Sequence, residues 1–171
     1  YGGVQAVTGT LTKFPMSMLG RLGGNIVSIT PWAMNDGNQQ QEALAIIMSS
    51  GEVVVYVGDD PGVADSWSLV GIWKIGAPIT YRGVLKVAGD VLILTKDDWV
   101  SLSKVLRADR TGKDQTSKIS GAAPSAAMSY SGNFGWGICH FPAGNMILVN
   151  VPVSSSEFDQ HVLNTTTGAW C

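Results

Sequence analysis

Few side chains in this sequence carry the chemistry for catalysis or metal binding. Two histidines, His140 in GICHFP and His161 in DQHVLN, stand 21 residues apart with no acid at a ligand spacing. They read as strand histidines, each with a hydrogen-bond partner. Cys139 precedes His140. Neighbouring strand residues point to opposite faces, so this thiol and imidazole cannot pair directly. Two acidic doublets occur, Asp59-Asp60 in VGDDPG and Asp97-Asp98 in TKDDW. Calcium takes about six to eight oxygens, and neither doublet belongs to a D-x-D-x-D pattern. Asp before Pro-Gly bonds its own backbone, so both doublets read as turn formers. LGRLGGN, residues Leu19 to Asn25, is glycine-rich but lacks the order of a dinucleotide fingerprint. Asn164 opens an Asn-Thr-Thr acceptor for glycosylation, in a turn where Asn is expected anyway. No catalytic, cofactor-binding or metal-ligating residue is assigned, and no cofactor is expected.

Six tryptophans (Trp32, Trp67, Trp73, Trp99, Trp136 and Trp170) could stack sugars. They are scattered at the ends of strand-like runs, which favours packing between sheets over a ligand platform.

The elements that hold these residues are short. The 171 residues suit one domain or a part of a larger one. Charged residues make up 14%, against about 25% in a soluble domain, so the surface is poor in charge. Net charge is −2 and no basic patch stands out, which argues against tight non-specific phosphate binding. The apolar runs are short and broken by Gly, so no transmembrane helix is expected. The start, YGGVQAVTGT, lacks a basic end and an apolar core, and does not read as a signal peptide. Cys139 and Cys171 form no disulfide framework and read as free thiols, with a disulfide left open.

Strand-like runs follow one another along the chain: Gly24 to Trp32, Ala43 to Gly58 (two runs), Trp67 to Gly76, Gly83 to Thr95 (two), Trp136 to Val153 (two) and Gln160 to Trp170 (two). Each is rich in β-branched or aromatic residues and bounded by turn residues, as in antiparallel hairpins. VVVYV and VLILT are apolar at consecutive positions, which predicts strands buried on both faces. Arg107 to Lys118 is basic and reads as a solvated excursion. SGAAPSAAMS predicts a short helix starting after Pro124.

One form recurs in RLGGNIVSIT, KVAGDVLILT and FPAGNMILVN: a Gly, then Asn or Asp, then an apolar run. The glycines, Gly24, Gly89 and Gly144, lie 65 and 55 residues apart. A strand–turn–strand unit repeated at such spacing suggests propeller blades with insertions, while a β-sandwich is the other option.

The ordered set of segments, above all SSGEVVVYVGDDP…WSLVGIWKIG, GDVLILT and NTTTGAW, resembles the tail-nozzle family of short-tailed bacteriophages, the tail tubular protein B-like and phage stabilisation proteins. The resemblance runs from about Leu11 to Cys171. It implies an all-β fold: a partial β-propeller of antiparallel blades with one irregular or short helical insertion. Residues 1–171 would form a single domain within a larger propeller, with blade-like units at about 11–76, 77–106 and 131–171 and the insertion at 107–130. The implied function is that of a virion structural protein around the DNA exit channel, not an enzyme. The implied partners are copies of itself in a ring, other tail proteins, and DNA passing without sequence-specific binding. No membrane insertion is expected. The chain would be made in the bacterial cytoplasm and reside in the phage tail. Family members are longer than this chain, which matches an ending, HVLNTTTGAWC, that reads as a severed hairpin with Trp170 lacking a packing neighbour, and a start without Met.

Two rival readings have distinct requirements. A carbohydrate-binding propeller needs exposed tryptophans in a concave site. A propeller glycosidase needs two carboxylates roughly 5–10 Å apart in one pocket, and the acids at 59, 60, 97 and 98 sit in turns.

Overall fold

The computed structural model describes residues 1–3, 6–15, 20–35, 40–63, 65–97, 99–107 and 122–171. Among the described residues strands far outnumber helices, so sheets build the cores. They form three antiparallel sheets, and among the described residues no closed barrel or propeller is formed. The chain divides into two compact units, Tyr1–Lys74 and Ile75–Cys171.

The first unit is a four-stranded meander, β1 (Ile26–Asn35), β2 (Gln40–Met48), β3 (Glu52–Gly58) and β4 (Trp67–Lys74), in the order β1-β2-β3-β4. Gly51, at φ 83°, closes the β2–β3 turn in a conformation that side chains with a Cβ rarely adopt. On β3, Val53, Val54 and Val55 are all fully buried, as the consecutive apolar run VVVYV predicts. One face of the sheet gathers Leu44, Ile46, Met48, Val54, Tyr56 and Ile72, with Phe14 and Trp67 packed on them. The alternate positions of the central strands, Ala43, Ala45, Ile47, Val53 and Val55, are buried too. Gly71 is opposite Val55, and the ring of Trp73 lies over it, where a Cβ on Gly71 would meet the indole at 2.6 Å. A bulge between Val55 and Tyr56 shifts the β3–β4 register.

The second unit holds two three-stranded meanders. One is β5 (Val84–Val87), β6 (Asp90–Leu94) and β7 (Trp99–Ser101); the other is β8 (Gly137–Phe141), β9 (Met146–Pro152) and β10 (Phe158–Asn164). Ala88 and Gly89 both have positive φ, 50° and 78°, as a two-residue type I′ hairpin turn between β5 and β6 requires. The core gathers Leu94, Trp99, Ala127, Trp136, Ile147, Val149, Val151 and Leu163. On β9 burial alternates: Ile147, Val149 and Val151 are buried while Met146, Leu148 and Asn150 are half-buried. Two helices complete the unit, α1 (Leu102–Arg107) and α2 (Ala122–Tyr130).

Three expectations need correction. The helix expected after Pro124 starts at Ala122. Proline fits the first turn of a helix, where its missing N–H costs no bond. The three Gly-Asn/Asp turns are not structural copies. Gly24 (φ 102°) lies in the lead-in to β1, Gly89 in a hairpin turn, and Gly144 in a single 3-10 turn after which Asn145 is left-handed. The C-terminal hairpin is not severed within this chain, and Trp170 does not lack a neighbour. Val162 and Cys171 exchange two backbone hydrogen bonds of 2.9 Å, and Asn164 N–H donates to the carbonyl of Ala169 at 2.8 Å. Trp170 lies edge-on against Trp99, with ring centroids 5.3 Å apart. Most of the basic excursion at 107–118 falls outside the described residues.

Candidate functional site

Several of the side chains able to do chemistry hold backbone in place. Asp60 accepts from the N–H of Gly62 at 2.8 Å, bracketing Pro61 as an Asx turn; Asp59 is exposed beside it. Asp97 is exposed, with an oxygen 2.7 Å from where a Cβ on Gly76 would stand. Asp98 lies outside the described residues. Asn164 accepts from the N–H groups of Thr166 and Thr167 at 2.9 and 3.0 Å. The Asn-Thr-Thr match thus falls where Asn164 closes its own turn, as expected from the sequence for an Asn there. Among the described residues, no cluster of three or more His, Cys, Asp or Glu side chains is arranged to hold a metal ion.

The histidines share one sheet. His140 pairs with Ile147 and His161 with Val149, on adjacent rungs of β8–β9–β10. Both partners are buried core residues, and directly opposed residues share a face, so both imidazoles sit on the core side of the sheet at half burial. Cys139 is on the opposite face, exposed and free, as is Cys171. The alternation along β8 that forbids a Cys139–His140 pair therefore operates. Cys139, Leu148 and Val162 form one rung, and Cys171 extends it through its backbone bonds to Val162.

Two carboxyl groups escaped the sequence reading. Glu52 opens β3 and is only 3% exposed. Its two oxygens accept from the N–H of Arg21 at 3.1 Å and of Leu22 at 2.9 Å, which ties the segment before β1 to the β2–β3 turn. Asp90 opens β6. One of its oxygens accepts from the N–H of Val91 at 2.8 Å, the N–H of Ser103 at 3.0 Å and the hydroxyl of Ser103 at 2.8 Å. The other accepts from the hydroxyl of Ser101. This carboxyl joins the β5–β6 turn to the first residues of α1, where the helix leaves N–H groups unpaired. The Ser101–Asp90 contact has the composition of half a catalytic triad, but among the described residues no hydrogen bond from either histidine reaches it, and the carboxyl divides its bonds between two backbone N–H groups and two serine hydroxyls.

The tryptophans pack. Trp32, Trp73, Trp99 and Trp136 are buried, and the indole N–H of Trp136 donates to the carbonyl of Tyr130 at 2.9 Å. Trp67 stacks on Tyr56 with centroids 5.2 Å apart and planes 10° from parallel, while Phe14 meets both rings edge-on. Burial pushes the Tyr56 phenol up from its ordinary range. The cluster was illegible in the sequence because Phe14 lies far from Tyr56 along the chain.

Comparison with protein-family models, curated proteins and solved structures found no match.

Proposed function

We propose that this chain is a virion structural protein, part of the wall of a phage tail nozzle around the DNA exit channel, and that its sheets belong to a β-propeller. The observation that carries this reading is the topology. All three sheets are up-and-down meanders in which strands adjacent in sequence are adjacent in space, the construction of propeller blades. The first has four strands, and the sheet of β8, β9 and β10 gains a short fourth ribbon at residues 169–171. A wall needs stiffness rather than a nucleophile, and the acids at positions 52, 60 and 90 serve stiffness. A charge-poor chain of net charge −2 suits a channel along which phosphates slide without sticking.

The carbohydrate-binding alternative draws no support from the tryptophans, which are packed against Tyr56, Trp99, Gly71 or the core. The test is direct. Antibodies raised against the exposed turn at residues 165–168 should label the tail of purified particles in electron micrographs, and the chain should appear in their mass spectra. Particles free of the chain overturn the proposal; retention of the purified chain on a glycan array favours the alternative.

A further inference from the structure

Residues 6–15 run over the first unit with little to hold them. Residues 6 to 13 are all exposed. Among the described residues, the backbone hydrogen bonds of this stretch go to its own neighbourhood. Ala6 N–H donates to the carbonyl of Gly3 at 3.1 Å. Thr12 exchanges bonds with Tyr1, its N–H donating to the Tyr1 carbonyl and its carbonyl accepting from the Tyr1 ammonium, each at 2.8 Å. Contact with the sheet is concentrated in one ring. Phe14 is half-buried and sits edge-on against Tyr56, 5.7 Å away, and Trp67, 6.4 Å away. Tyr1 leans on Phe14 from outside at 6.4 Å and touches Gly62 in the β3–β4 connection.

A second attachment, farther along the chain, is of another kind. At Arg21 and Leu22 the backbone is held by two hydrogen bonds to the buried carboxyl of Glu52. Bonds to a carboxylate are stronger than edge-on ring contacts, and breaking them strands a buried polar group. The two attachments therefore let go in a fixed order.

We infer that residues 6–15 are a releasable strap, latched by Phe14 and anchored by Glu52, whose opening uncovers the stacked Tyr56–Trp67 pair while the sheet stays folded. The seat left by Phe14 is apolar and aromatic, and the exposed Leu69 stands opposite Tyr56 on β4. Regions that open locally are those with few buried apolar contacts and hydrogen bonds. The inference does not depend on the proposed function.

Trypsin reads both attachments, because Lys13 directly precedes the latch and Arg21 is the first residue of the anchor. Cleavage at Lys13–Phe14 requires Phe14 to leave its seat, and its rate follows the population of the open form when reclosing is fast. In the whole chain, cleavage at Lys13 should proceed at a rate nearly independent of low urea, the mark of an opening that exposes little surface. Phe14→Ala should raise that rate about tenfold, equivalent to about 1.4 kcal/mol, and Phe14→Leu by less. Neither should change the rate at Arg21–Leu22, which Glu52→Gln should accelerate. Trp67→Leu, which removes the seat instead of the latch, should reproduce Phe14→Ala. The strap is overturned if both latch variants leave Lys13 cleavage unchanged, or if they accelerate Lys13 and Arg21 in equal proportion with a steep urea dependence, since the segment then opens only when the unit unfolds.

Discussion

Strands β3 and β9 have similar sequences and different fates. EVVVYVG is buried at five consecutive positions, while MILVNVP alternates from Met146 to Val151, one row in the core and the other half in solvent, before ending on a buried Pro152. A consecutive apolar run on a central strand is the signature of burial on both faces, and β3 obeys it. On β9 the outer row, with its partners on β8 and β10, comprises Phe141, Met146 and Asn164; Cys139, Leu148 and Val162; Gly137, Asn150 and Gln160; and Pro152 with Phe158. None of them is charged, and Phe141 and Phe158 are exposed. The difference teaches that apolar runs report what a strand avoids, namely charge, before they report what covers it.

The largest effect that separates these regions should come from the core of the second unit. Trp99→Ala removes a fully buried indole and the edge-on partner of Trp170, and should cost about 3–5 kcal/mol, read as a fall in the urea midpoint of that unit. Within β9 itself, Ile147→Ala should cost about 2–5 kcal/mol. Leu148→Ala, one residue on and half-buried, should cost less than about 1 kcal/mol in the same titration. Equal losses would mean that the outer row is as buried as the inner one and would erase the contrast with β3.

How much of this was legible follows from the same contrast. Period, turn residues and β-branched content placed most of the hairpins, because those signals are local; the three-residue β7 (Trp99–Ser101), too short to show a period, was in none of the expected runs. The Asp60 and Asn164 turns were legible for the same reason: each side chain bonds backbone two or three residues on. The roles of Glu52 and Asp90 were not. Their partners lie 30 and 31 residues away for Glu52, and 11 and 13 for Asp90, and no spacing rule joins a turn acid to a distant N–H. Trp170 was misjudged on similar grounds, since its neighbour Trp99 is supplied by another sheet.

Smaller effects sharpen the picture. In the first unit, Gly71→Ala drives a methyl into the ring of Trp73 and should destabilise by about 1–3 kcal/mol; a thermal scan following tryptophan fluorescence would show the lowered midpoint. Asn164→Ala removes two bonds from an exposed turn and should cost about 0.5–1.5 kcal/mol, detected as faster amide exchange at Thr166 and Thr167 with the sheet core unchanged.

The rung that carries Cys139 at one edge and Cys171 at the other has a redox corollary. Three strand spacings separate the two Cα atoms, about 14 Å, whereas a disulfide spans at most about 7 Å. Oxidation therefore cannot close a loop inside one folded molecule. Under air or diamide, any sulfur–sulfur bond that forms without unfolding must join two molecules, so a ladder on a non-reducing gel would count neighbours.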